Sequence, residues 1–227
     1  LSSNSSKFID GLLENQGSLT YSGQNLFFGR DAGNLPARLL NAPGATFLVD
    51  GEGDFFQFNA SPNYRVDNAG LFIKRGPGTT TVVNNPVFFA STGVVQIESG
   101  ELMFTTSASL AGTVTGAGTL TFAGGTHSLP EGIAFDPAGL SLSNASLSFG
   151  PGVAPQLASL DINASSVSFA DDRSLASLTL RNNGRLTMAP ATVMTVTGSL
   201  DWQAGILTAG GTLRIAPGAT ASLSSNS

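Results

Sequence analysis

The feature that most constrains this chain is a short apolar–x–apolar signature that returns about every 18–20 residues through its second half. It reads Leu102–Phe104, Leu120–Phe122, Leu140–Leu142, Leu160–Ile162 and Leu178–Leu180, and continues as Val196–Gly198 and Leu213–Ile215. The steps between first members are 18, 20, 20, 18, 18 and 17. A second series runs out of phase at Ile133–Phe135, Leu147–Phe149, Val167–Phe169 and Leu186–Met188. Apolar residues at i and i+2 follow the strand period of two, so each repeat holds at least two short strands. Gly, Asn, Asp and Pro punctuate the intervals, as at Asn182–Gly184 and Gly150–Gly152.

One such repeat cannot bury its own apolar side. Coils stacked about 4.8 Å apart bury it against the coils above and below. The period is too short for helical solenoids, and the Ser/Thr/Gly-rich intervals are poor helix formers. The spacing therefore predicts an all-β fold, a right-handed parallel β-helix (β-solenoid) with coils of about 18–20 residues. Asn144, Asn163 and Asn182, 19 residues apart, are expected to stack as a ladder of turn amides.

The first half is less regular and Phe-rich. Strand-like runs fall at Gln24–Phe28, Thr46–Val49, Phe55–Phe58, Gly70–Lys74, Thr79–Val83 and Val94–Ile97. Residues 1–66 are read as irregular coils and a candidate cap, with mild helical character over Ser5–Asn15, and residues 67–227 as regular coils of one continuous domain. The Phe residues are read as core.

Within residues 67–104 stand Asn68, Gly70, Phe72, Lys74, Gly76, Gly78 and Thr79, followed by Gly93, Val95, Ile97, Ser99, Gly100 and Leu102. This order resembles the β-strand repeat of autotransporter passengers and of related giant bacterial surface proteins. The likeness covers about 40 residues in detail and the remainder in texture only. It implies a β-helical fold and an extracellular or cell-surface location. It implies no particular activity, because adhesins, proteases and surface proteins of other kinds share the repeat.

Composition narrows the chemistry. Charged residues are 11% of the 227, the net charge is −5, and hydrophobic residues are 41%. The hydrophobic share excludes a disordered tail. The scattered basic residues, paired only at Lys74–Arg75, offer no stripe for nucleic acid and no polybasic membrane patch. The absence of Cys excludes disulfides and thiolate chemistry. No apolar run of about 18 residues exists to insert into a membrane as a helix. The Ser/Asn-rich ends and the absence of a leading Met suggest a module excised from a larger protein.

Three constellations merit weighing. His127, the only histidine, lies in a Gly-rich stretch and is expected to be a solvated turn residue. Asp50, Glu52 and Asp54 alternate with Gly; on an extended chain they would face one side, which makes them candidate Ca²⁺ ligands, although the rest of a calcium loop is missing. Asp171, Asp172 and Arg173 match the acid-plus-base clusters of polysaccharide lyases, yet stand where a turn is due. The expectation is accordingly a chain with no catalytic residue, no bound cofactor and no metal beyond that calcium candidate. The expected role is a non-catalytic structural or adhesive module, whose partners would be surface glycans, proteins of host or neighbouring cells, or further copies joined through the solenoid ends. A carbohydrate-active β-helix and a self-assembling surface-layer or fibre unit are the alternatives.

Overall fold

The computed structural model describes residues 6–30, 36–58, 64–82, 87–150, 152–153, 157–208 and 210–224. Every element among them is a β-strand, and every strand pairing is parallel. The strands wind into a β-solenoid of about nine turns.

Full coils carry up to three strands, so the solenoid has three faces; only between Ser146–Phe149 and Ser159–Asn163 do the described residues form no third-face strand. One coil begins with Glu101–Phe104 on the first face and passes through Ser109–Leu110 on the second. It then enters Thr113–Phe122, whose start lies on the third face and whose end opens the first face of the next coil. An irregularity between Gly116 and Thr119 turns that strand through the corner. Because several strands cross the corner in this way, the first and third faces share one 16-stranded sheet. The second face is divided into two five-stranded sheets, one ending at Ser109–Leu110 and the other beginning at Thr126–Leu129.

Strand register fixes the inward columns. On the first face Leu102 aligns with Leu120, then Leu140, Leu160, Leu178 and Leu200, at intervals of 18, 20, 20, 18 and 22. All six are buried. The first column thus differs from its sequence reading after Leu178. Val196 aligns with Leu175 and Ile215 on the third face instead, and Phe135 aligns there with Val114. A three-stranded coil explains the misassignment: two of its faces show the same apolar period, and neighbouring intervals differ by only a few residues.

Coils in the first half are longer. Leu26 aligns with Phe55 and Phe55 with Val82, intervals of 29 and 27. The expected helical character over Ser5–Asn15 is not found in the described part of that stretch. Lys7–Ile9 and Leu12–Asn15 are strands, paired in parallel with Asn25–Phe28 and Arg38–Asn41. A segment this short has little helical tendency of its own, and the exposed edge of the next coil offers its backbone ready partners. The strand Tyr64–Asn68 spans the 66/67 boundary and pairs on both sides.

An aromatic file occupies the core. Phe72 packs edge-to-face on Phe47 and Phe89 at ring separations of 5.4 Å each. Phe89, Phe104 and Phe122 continue it at 5.1 and 6.1 Å. Beside it runs a buried polar column. Asn15 Nδ2 donates to Asn41 Oδ1 and Asn41 Nδ2 to Asn68 Oδ1, both at 2.7 Å, and Asn68 Nδ2 donates to Ser91 Oγ at 2.9 Å. Each Asn amide also donates to a main-chain carbonyl of the third-face strand one coil on, Thr46, Leu71 or Val94. The expected Asn144–Asn163–Asn182 ladder forms only in part. Asn182 Nδ2 donates to Asn163 Oδ1 at 2.7 Å, but Asn163 aligns with Ser143, leaving Asn144 one residue further on in a left-handed turn conformation.

Two substitutions test this arrangement. Leu178→Asp places an unpaired carboxylate inside the stack and is expected to destabilise the chain by at least ~4 kcal/mol, read by denaturant unfolding. Wild-type-like unfolding would show that the column is misassigned. Asn41→Ala orphans amide groups on both neighbouring coils and should cost about 1–3 kcal/mol for each buried group left unpaired.

Candidate functional site

The corner between the third and first faces gathers the densest charge in the first half. Asp50 ends the strand Thr46–Asp50, Glu52 lies in the bend, and Asp54 opens the strand Asp54–Gln57. The segment is folded around a corner rather than extended, so the three carboxylates do not converge. Asp50 instead forms an ion pair with Arg75 at 3.0 Å across coils, and that bond holds its carboxyl below the ordinary range. Asp54 Oδ1 accepts the Thr81 main-chain N–H at 2.5 Å, while burial raises its pKa. Among the described residues no three His, Asp or Glu side chains are grouped to hold a metal ion.

Lys74 lies at the same corner on an inward position, aligned between Val49 and Ile97, and is fully buried. Its ammonium curls back to donate to the carbonyls of Arg75 and Gly76, each at 3.2 Å. Burial lowers its pKa, and Glu52 and Asp50 oppose that shift. A Cβ at Gly100 would stand 3.1 Å from the Lys74 ammonium and 2.3 Å from the Gly76 carbonyl oxygen, at a φ of +73°. The Lys-x-Gly…Ser-Gly part of the repeat is therefore a corner device: the lysine satisfies turn carbonyls, and the glycine one coil on leaves room for it.

Asp171, Asp172 and Arg173 form a second corner. Asp172 Oδ1 accepts the Val193 N–H at 2.7 Å. Arg173 donates to the Val153 and Asp172 carbonyls, both at 2.6 Å, and pairs with Asp171 at 3.3 Å. Its guanidinium lies over the Phe169 ring at 5.9 Å. These contacts tie consecutive coils together. They turn the guanidinium and Asp172 toward main-chain groups.

His127 departs from expectation. It lies within the strand Thr126–Leu129 at an inward position aligned with Leu147, and only 2% of its surface is exposed. Its ring packs on Phe122 at 3.9 Å and ends the Phe47–Phe122 file. Nε2 lies 2.8 Å from the Gly124 carbonyl oxygen, and Nδ1 accepts a long bond from the Ala108 N–H at 3.5 Å. The Nε2–H tautomer serves both contacts. Desolvation lowers its pKa, and the Gly124 bond opposes the shift. The chain bends at Gly124–Gly125, but the strand begins directly after them at Thr126, so His127 falls inside it.

Two outward surfaces escaped the sequence reading. Phe8, Phe27 and Phe56 are in register and stack outside the core at 5.3 and 5.6 Å, with Phe58 edge-on to the first two. Strand alternation carries the signal: in Asn25–Phe28 and Asp54–Gln57 one Phe of each pair must face out. On the second face, the rows Thr126–Ser146–Ser166 and Ser128–Ser148–Ser168–Thr187–Thr208 line up coil over coil. They border a shallow groove of about 190 Å³. That is smaller than the roughly 300–1,000 Å³ usual for small-molecule sites.

Because Asp50 is engaged by Arg75 and Asp54 by Thr81, added Ca²⁺ is expected to leave the melting temperature unchanged. A rise with Ca²⁺ would place a native-state ligand at this corner.

Comparison with protein-family models, with curated proteins and with solved structures finds no match to this chain.

Proposed function

We propose that this chain is a non-catalytic structural or adhesive β-solenoid module of a bacterial surface or secreted protein. The observation that carries this reading is the way its polar chemistry is spent. Inward positions pack into continuous apolar and amide columns, and the acid-plus-base clusters at the corners bind main-chain groups and each other across coils. General acid–base or nucleophilic catalysis needs a base within reach of a reacting group, with its partner holding it there. Here Arg173 and Asp172 are held by the solenoid's own backbone, and His127 faces the core.

The outward second face supports a presenting or spacing role. On its lower sheet, from Thr126–Leu129 to Gly205–Thr208, the aligned Ser and Thr hydroxyls make a hydrated surface with Arg185 as the single charged side chain, itself bonded to Thr208 Oγ1 at 3.0 Å, while the upper sheet carries the Arg38–Asp67–Arg65 ion pairs. A parallel stack with bonds between all successive coils also resists bending, as a spacer requires. An extracellular or cell-surface setting goes with this reading, with surface glycans or proteins of neighbouring cells as partners.

The test is turnover by the isolated chain against acidic polysaccharides, neutral glycans and peptides, with and without Ca²⁺. None is expected. Activity that Asp171→Ala or Asp172→Ala abolished, with the melting curve unchanged, would replace this reading with a carbohydrate-active β-helix.

A further inference from the structure

The second face contains a seam. Its upper sheet ends at Ser109–Leu110 and its lower sheet begins at Thr126–Leu129, and these two strands, although neighbours in the stack, belong to different sheets. Elsewhere on this face successive strands are joined by main-chain ladders. At the seam the observed bonds come from side chains. The Ala108 N–H donates to His127 Nδ1, and Ser107 Oγ donates to the Thr126 carbonyl at 3.2 Å. The imidazole thus stands in for a missing rung while filling the core beneath Phe122.

The ring's surroundings are unusual for so buried a titratable group. No charged residue occurs between Glu101 and Glu131, which covers the Thr113–Phe122 strand, Ala108, Leu110 and the Gly124–Gly125 turn. None occurs on the Ser146–Phe149 strand below, which falls in the charge-free run between Asp136 and Asp161. Asp136, on the strand Ala134–Ser143, is exposed on the outside. The one polar group that opposes the effect of burial on the ring is the Gly124 carbonyl. A proton added at Nδ1 would therefore bring two consequences together. It would set an N–H donor against the Ala108 N–H, and it would bury a cation with no counter-charge.

We propose that His127 is a pH-operated latch that closes the seam between the two sheets of the second face when neutral and releases it when protonated. The first and third faces stay paired across this level through Leu102–Leu120 and Val95–Val114, so release opens one face without severing the rod. The sign follows from burial favouring the neutral ring. The stabilisation is complete above the ordinary imidazole pKa of about 6.5 and is lost as pH falls below it and through the depressed folded value.

Hydrogen exchange of the full chain, compared at about pH 7.5 and about pH 5 after correction for intrinsic rates, tests the latch across the range in which histidine titrates. In acid the wild type should lose protection over Ala108–Leu110 and Thr126–Leu129 while Leu102–Phe104 keeps it. His127→Leu, which puts an apolar side chain in line with Leu147, should lose this local acid response. Wild-type protection unchanged in acid, or a His127→Leu protein that still opens, overturns the proposal. Nitrogen chemical shifts of the wild-type ring keep the test decisive should the variant not fold. The Nε2–H tautomer near neutrality, titrating together with the loss of protection, supports the latch; the Nδ1–H tautomer, or titration apart from the opening, overturns it.

Discussion

Parallel main-chain pairing between successive coils is the constraint on which everything else in this molecule depends. Once Leu102 is set opposite Leu120 and Leu140, strand periodicity decides the direction of every other side chain in those rungs. Like side chains then meet like: Leu on Leu, Phe on Phe, Asn on Asn. A slip of one residue would turn an entire rung inside out, so the apolar columns and the backbone ladder enforce the same register.

Most buried polar groups in this scheme close their own bonds, the exceptions among the described residues being Tyr21 Oη, Gln57 Oε1 and Arg173 Nε. The Asn15–Asn41–Asn68–Ser91 column succeeds because an amide has both donor and acceptor, so each passes one bond to the next and one to the backbone. Lys74 succeeds by turning its ammonium to corner carbonyls. His127 closes both its bonds only in its neutral form, which sets it apart from the Asn column and from Lys74. Its position, where the aromatic file ends and the second face changes sheets, makes it the place where the solenoid depends on a proton.

Much of the fold was legible in the residues. The apolar-x-apolar period announced strands, and the interval announced coils. Of the residues that carry the resemblance to surface-protein repeats, Asn68, Lys74 and Gly100 now have physical reasons in their side chains or the lack of one. The third strand of each coil was hidden because Arg38–Asn41 and Val87–Ser91 carry mixed polar and apolar faces and lie between turns of variable length. The outward phenyl stack was hidden by composition, since Phe is usually core material and only register reveals which ring of a pair points out.

The sequence by itself determined the strand period, the coil interval and the charge-poor interior, because these are local properties of neighbouring residues. It determined, too, that acids and bases would collect at turns. Which residues share a rung was decided only by the tertiary structure. Coil lengths from 18 to 29 residues let one column be assigned to another until the ladders were closed. The separation of Asp50, Glu52 and Asp54, the capture of Asp172 by Val193 and the burial of His127 all follow from contacts between residues about 20 or more positions apart, or from the corner that divides them. Such contacts carry no local signature, because pairing across coils is a property of the stack and not of any one of its turns.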